Sequence, residues 1–496
     1  MQNRIPKSLY CHYFFKDKKI KDLSYQLTLY SKFFCLFLNH LIFMCSKFII
    51  NRSHGTFGFC QSYKTKIICP FCSGSMNSRI LLIVSFLFVV VFSTCKPLPK
   101  ISTINLNHLY DQEDQVFNAS FLVKHHDRQK STIEFFVNSE TLLYTRSARE
   151  NYYTADIGFS WYLYESYEDK TLADSAFYLV KDTLAATDAV MVSRKFTIET
   201  QDPGKYVLLV QLQDMKRNAV EQKIMDFDKS HPYTARFFHF KNQQEKVYYP
   251  PFFISSEELL WISYNDSIDM DMSYTYYTLT SSVPRAPFVA DDPAKKTGYN
   301  PLLEQYTESF KMKKGIGRVK QSDKGLYYYH LRFRPDQGFC VHAWHEGFPA
   351  LLNAPDMIPP LRYITARKEY DQLLSFGNDF LSLERFWTAS AGNPDRGREL
   401  MKKYNQRVER SNALFSSYKP GWQTDRGMIY IIYGKPDRVF RYNDREIWQY
   451  PETMNMPAVD FTFNRIDHPL SKDNFVLDRK PEYRNSWNLA VSVWRR

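Results

Sequence analysis

The chain has 496 residues, 44% hydrophobic and 17% aromatic, with a formal net charge of +12. That length allows about three domains. The charge is unevenly placed: residues 1–75 hold eleven Lys and Arg against Asp17 and Asp22, and Arg79 adds one more, so +2 is left beyond residue 94. A basic surface for nucleic acid is thereby excluded. After residue 75 the only cysteines are Cys95 and Cys340, which excludes a disulfide framework.

Residues 1–75 are rich in Phe, Lys, Ile, Tyr and Asn and show no sustained amphipathic period. Cys69 and Cys72 bracket a Pro-Phe pair, but they make no redox or zinc motif if this stretch is not translated. Phe33–Ile50 could be a membrane helix, yet His40 and Lys47 inside it argue against that. A mis-called extension is expected, with translation starting at Met76. Residues 76–94 then read as a secretory signal. Met76-Asn77-Ser78-Arg79 is a basic start, Ile80 to Phe92 is apolar apart from Ser85, and Ser93-Thr94 precede Cys95. The run is short for a bilayer span. Cys95 after the small pair resembles a lipobox, so acylation of Cys95 is expected, with 95–109 as a tether.

Residues 110–229 read as an Ig-like β-sandwich, from short aromatic and β-branched runs punctuated by turn residues. The runs are Val116–Phe121, Ile133–Val137, Asn151–Tyr167, Phe177–Val180, Arg194–Glu199 and Tyr206–Gln213. Tyr152, Tyr153, Trp161, Tyr162, Tyr164 and Tyr167 are dense enough to form an aromatic binding face, although alternation would bury half of them. Residues 230–355 read as a second β-rich domain, with a long exposed loop at Ser281–Tyr299. Within it Cys340, His342, His345 and Glu346 are metal-type side chains. On a strand His342 and His345 face opposite ways, and the order lacks the helical His-Glu-x-x-His arrangement, so no metal site is expected.

Residues 356–496 change to α+β. Thr365–Leu374 and Asp379–Ala389 read as helices. A longer helix follows, with Pro394 in its first turn and Asn393 as cap. Leu400, Met401, Tyr404, Val408 and Phe415 form its apolar stripe, with Arg396, Lys402, Lys403 and Arg407 on the remainder as a solvated face. Strands are expected at Met428–Tyr433, Glu446–Tyr450, Val459–Asn464 and Phe475–Asp478. Asp425-Arg426-Gly427 would form a turn into the first of these.

The stretch Gly421-Trp422-Gln423-Thr424-Asp425-Arg426-Gly427 is the most specific feature. Ile358-Pro359-Pro360-Leu361-Arg362-Tyr363, Arg385-Phe386-Trp387, Asn393-Pro394-Asp395-Arg396, Glu446-Ile447-Trp448-Gln449-Tyr450 and Trp494-Arg495 flank it in order. With these blocks the last third of the chain resembles the GWxTD-domain proteins of Bacteroidetes-type bacteria. The resemblance implies an envelope protein and supplies no reaction. Lys96, where an Asp would signal inner-membrane retention, fits an outer-membrane lipoprotein facing the periplasm.

Trp422, Thr424, Asp425 and Arg426 are the candidate ligand- or partner-binding residues. The competing reading makes Trp422 a core plug and Asp425 a turn former. No His or Cys stands in the motif, so no catalytic residue, cofactor or metal is assigned. The expected role is non-catalytic: a lipid-anchored binding or assembly component with an envelope protein partner. The alternative is an envelope hydrolase of peptide or glycan, whose acids would be Glu409, Asp425, Asp437 and Glu446. Convergence of two of them in an aromatic cleft would favour it.

Overall fold

Period-two burial builds the first β module. The computed structural model describes residues 99–110, 116–146, 152–184, 189–265, 267–278, 283–290, 303–468 and 470–495. The expected extension, the secretory signal and Cys95 lie outside the described residues. Strand β1 spans Ser120–His125 and β2 spans Lys130–Asn138; along β2, Ser131, Ile133, Phe135 and Val137 are buried and their neighbours are not. A two-residue strand β3 (Thr145–Arg146) meets the start of β4 (Tyr153–Tyr164). The module continues with β5 (Leu172–Leu184), β6 (Met191–Glu199), β7 (Lys205–Asp214) and β8 (Ala219–Asp228).

One sheet runs β1-β2-β6; in the other, β4 lies between β5 and β7, with β8 outside β7. Three antiparallel strands facing five, counting the short β3 beside β4, make an Ig-like sandwich in this order. Trp161 on β4 is 0% exposed between the sheets. Tyr206, entering β7, donates its hydroxyl to the Asp202 carbonyl at 2.7 Å, tying down the corner before that strand. The aromatic run does not form an open face: Tyr162, Tyr164 and Tyr167 are buried along with Trp161. Strand β4 is covered on both sides, so alternation exposes neither set.

The second module comprises β9 (Phe238–Lys241), β10 (Val247–Tyr248), β11 (Phe252–Ser255), β12 (Leu259–Tyr264), β13 (Met270–Thr278), β14 (Leu303–Met312), β15 (Ile316–Lys320), β16 (Gly325–Leu331) and β17 (Arg334–Trp344). Its sheets are β10-β9-β12-β15 and β11-β17-β16-β13-β14, with β11 parallel to β17. Phe240, Phe252, Tyr327, Tyr329 and Phe339 share their core. The loop after β13 is not simply exposed. Pro287 is buried, its carbonyl accepts from Lys480 N at 3.1 Å, and Arg484 stands 4.9 Å from the Phe288 ring.

The C-terminal region holds helices α1 (Arg367–Ser375), α2 (Asp379–Ala391), α3 (Pro394–Phe415), α4 (Asp425–Tyr433) and α5 (Tyr483–Val493). Against them lies an antiparallel sheet of β18 (Arg438–Arg441), β19 (Arg445–Tyr450), β20 (Val459–Arg465) and β21 (Phe475–Leu477), in chain order. Asn393 caps α3 by accepting from Arg396 N at 2.9 Å.

Helix α4 corrects the expectation of a strand at Met428–Tyr433 and a turn before it. Thr424 is its N-cap, Asp425 lies in its first turn, and Gly434 ends it at φ +87°. Every residue from Asp425 to Ile432 is buried, so the segment shows no polar face. The expected tether is also corrected from residue 99 onward. Leu106 N donates to the Val439 carbonyl at 2.8 Å, and Val439 N to Asn105 Oδ1 at 2.9 Å. Asn107 Nδ2 reaches the Asp437 carbonyl at 2.7 Å. Residues 99–110 are thus sewn onto β18, more than 300 residues away in sequence.

Candidate functional site

The stretch Gly421–Gly427, which leads into the first turn of α4, packs that helix against α3. A Cβ on Gly421 would overlap the Ser411 carbonyl, and one on Gly427 would overlap the Gly421 carbonyl. Both positions require glycine because backbone meets backbone there. Thr424 Oγ1 accepts from Gly427 N at 3.0 Å and donates to the Gly421 carbonyl at 2.7 Å. Asp425 accepts from Leu477 N at 2.8 Å and pairs with Arg479 at 2.5 Å, locking α4 to β21. A carboxylate in the first turn also suits the positive end of the helix.

Arg426 enters a buried charge cluster. Its guanidinium lies 2.8 Å from Asp473 Oδ2 and 3.6 Å from Glu446 Oε2, and 4.2 Å over the Phe475 ring. Glu446 is 0% exposed. Its carboxylate accepts from Tyr110 Oη, Trp448 Nε1 and Arg441 Nε, each at 2.6 Å. Arg441 also donates to Tyr110 Oη at 2.6 Å. Burial opposes the charge on Glu446, but the Arg441 and Arg426 guanidiniums outweigh it and hold the carboxyl below its usual range. Burial likewise works against Asp473, and the same arginines hold it low. Glu446, Arg426 and Arg441 therefore balance one another away from solvent, with Asp473 completing the neutralisation from the partly exposed edge. Such a cluster stabilises an arrangement and gives no group poised to exchange protons near neutrality.

The candidate binding residues separate on this geometry. Thr424, Asp425 and Arg426 are 6%, 7% and 1% exposed, so they do not form a surface site. Trp422 is half-buried, and no acceptor reaches its indole N–H among the described residues. It is not the expected core plug. Its backbone is held instead: Trp422 N donates to Asn412 Oδ1 at 3.1 Å, and its carbonyl accepts from Tyr363 Oη at 2.5 Å.

The four acids of the hydrolase reading do not converge on a cleft. Glu409 accepts from Leu351 N at 2.9 Å, Asp425 is paired with Arg479, and Glu446 is enclosed by its arginines. Asp437 is exposed beside Arg438 at 3.8 Å. A shallow groove of about 260 Å³ lined by Ser139, Leu142, Tyr144, Tyr153 and Leu184 lies in the first module, away from all four.

Arg407 does not belong to a solvated face. It donates to the Ile431 and Ile432 carbonyls at 3.0 Å each, closing the negative end of α4. Cys340 Sγ donates to the Leu470 carbonyl at 2.9 Å. Burial lowers the His342 pKa to about 4, and its ring packs on Phe253. His345 Nδ1 lies 3.0 Å from the Glu346 carbonyl. No group of three or more His, Cys, Asp or Glu among the described residues is arranged to hold a metal.

Tyr110, Arg441 and Asp473 were not legible as partners of the motif. One signal was present: Glu446 and Trp448 stand two apart on a strand and so share a face, and a Trp on that face marks it as the buried one.

Residues 325–496 match the model of the GWxTD domain family. The match begins at the first residue of β16, upstream of the boundary expected at 356. Packing accounts for this, since Leu326 and Cys340 of the β16–β17 hairpin share a cluster with Tyr418 and Leu470 of the C-terminal region. No curated protein matches the chain. Among solved structures, the C-terminal 282-residue fragment of intimin in complex with the intimin-binding domain of the translocated intimin receptor is similar at 10% identity. The likeness covers 74% of this chain and 94% of that one at a TM-score of 0.14, too low to carry an argument.

Proposed function

The chain is a GWxTD domain-containing protein, and from that premise we propose that it is a lipid-anchored envelope protein acting as a non-catalytic binding or assembly component. Cys95 would carry the acyl chains, since an apolar run and a small pair precede it. Lys96 after it favours the outer membrane, with the body facing the periplasm. The observation that carries the non-catalytic part is the fate of the motif's polar residues. Thr424, Asp425 and Arg426 are consumed by a cap and by buried ion pairs with Arg479 and Glu446. Trp422 alone of the motif's large side chains reaches the surface, where a ring with a free N–H suits a protein partner.

Two measurements test this. Labelled palmitate should enter the wild-type protein and not Cys95→Ala, and the variant should leave the membrane fraction. A photoreactive phenylalanine at position 422 should crosslink to one envelope protein in living cells. Persistent membrane binding of Cys95→Ala would remove the anchor. Capture of a glycan or peptide at 422, with its turnover, would replace the binding role by the hydrolase.

A further inference from the structure

Three buried polar side chains at the joint after the first β module have no part in the reading above. His125 ends β1, Ser131 lies in β2 and Lys229 follows β8; they are 0%, 0% and 1% exposed. Lys229 Nζ donates to Ser131 Oγ at 3.0 Å, and that hydroxyl lies 2.9 Å from His125 Nδ1. The ammonium can only donate, while the hydroxyl has a second lone pair as well as its own proton, so either ring tautomer fits the contact at Nδ1. Nε2 has no hydrogen-bond partner, so a doubly protonated ring would hold an N–H without an acceptor.

Positive charge surrounds this ring. Lys229 approaches from the linker, Arg236 from the turn after it and Lys472 from the loop between β20 and β21, with His126 just past the end of β1. The nearby acids are bonded to other groups, although Asp127 attracts Lys229 without an ion pair to it. Asp228 pairs with Lys472 and accepts from Ser230, Asp127 accepts from Gln129 N and Lys130 N, and Asp226 attracts Arg236. Lys229 makes no ion pair within 4 Å among the described residues, and the ring is walled by Phe227 at 4.6 Å and Phe237 at 5.1 Å. Phe237 belongs to the second module and Lys472 to the C-terminal region, so all three parts of the body meet here.

We propose that His125, Ser131 and Lys229 form an acid-sensitive joint: a second proton on His125 places an unpartnered cation against Lys229 and Arg236, and the first module loosens from the rest of the body. Burial first, and then Arg236 and Lys229, hold the His125 pKa well below its usual value. The closed joint therefore refuses a proton that the opened one accepts below about pH 6.5, and its stability falls as pH drops through that value. Lys229, pushed down to about 8 by burial, is mostly protonated at pH 7 and supplies the repulsion as the pH falls below it.

Hydrogen exchange of the full chain at pH 7.5 and 5.0, corrected for the intrinsic pH dependence, reads the joint directly. Protection of β1 and of residues 226–237 should fall by up to about thirtyfold in the wild type, the limit set by one histidine over this interval. His125→Phe fills the aromatic cage without a titratable ring and should lose less than about threefold. Should that variant fail to fold, Lys229→Met carries the test, because removing the neighbouring cation should likewise shrink the acid loss. An acid loss of equal size in all three proteins, or none in the wild type, overturns the proposal.

Discussion

Glu446 is the residue around which the buried charges are arranged. Its carboxylate has three partners at 2.6 Å and balances Arg441 and Arg426 out of solvent. Glutamine keeps the shape and removes the charge, leaving the Arg441 guanidinium without its ion-pair partner and Arg426 with Asp473 alone. Glu446→Gln should therefore lower the unfolding free energy by about 3–5 kcal/mol, read from a urea midpoint that moves at constant slope. The pH dependence has a definite sign. A carboxyl held below its usual range contributes fully above about pH 4.5 and loses that contribution as pH falls through its folded value. The acid limb of the stability curve should be shallower in Glu446→Gln than in the wild type. The glycines make a second case, because a methyl at Gly421 or Gly427 meets backbone carbonyl atoms that cannot turn aside. Either alanine variant should lose about 1–3 kcal/mol or more by overpacking. A melt identical to wild type would mean that α3 and α4 do not approach this closely.

Helix α4 is the decisive element. Thr424 Oγ1 satisfies Gly427 N at its start, and Arg407 with Trp494 Nε1 takes up the Ile431 and Ile432 carbonyls at its end. Thr424→Ala should cost about 1 kcal/mol and Thr424→Ser much less, measured by the same denaturation. Loss in both alike would point to the methyl group and not to the cap. The sequence hid this helix for a physical reason. Met428-Ile429-Tyr430-Ile431-Ile432-Tyr433 is β-branched and aromatic, which reads as strand, and burial on all sides removes the polar face that reveals a 3.6-residue period. Thr424 before Asp425, and Gly434 nine residues on, were the end signals to weigh. By contrast, strands with one wet face, such as β2, were legible because polar residues alternate with apolar ones along them.

At the scale of the whole molecule, the start of the described chain and the motif build one core. Tyr110 reaches Glu446 and Arg441, its carbonyl accepts from Tyr430 Oη at 3.2 Å, and Asn105 pairs with Val439. Nothing local in Ile101–Tyr110 announces this, because its partners lie beyond residue 400 and the segment has neither strand nor helix period. The order of α and β regions was legible from composition; how residues 99–110 and the motif meet was not. Tyr110→Phe should remove about 1–3 kcal/mol by leaving Glu446 short of a donor, and the C-terminal region should register the loss although the change lies at the other end. Calorimetric unfolding of Arg426→Met, Glu446→Gln and the double variant tests most directly whether the motif's charges hold the body together. Each single change should lower the transition by about 5 °C or more, with the pair costing clearly less than the sum. Transitions unmoved from wild type, with crosslinking at position 422 abolished, would contradict the account and make Arg426 a functional contact instead.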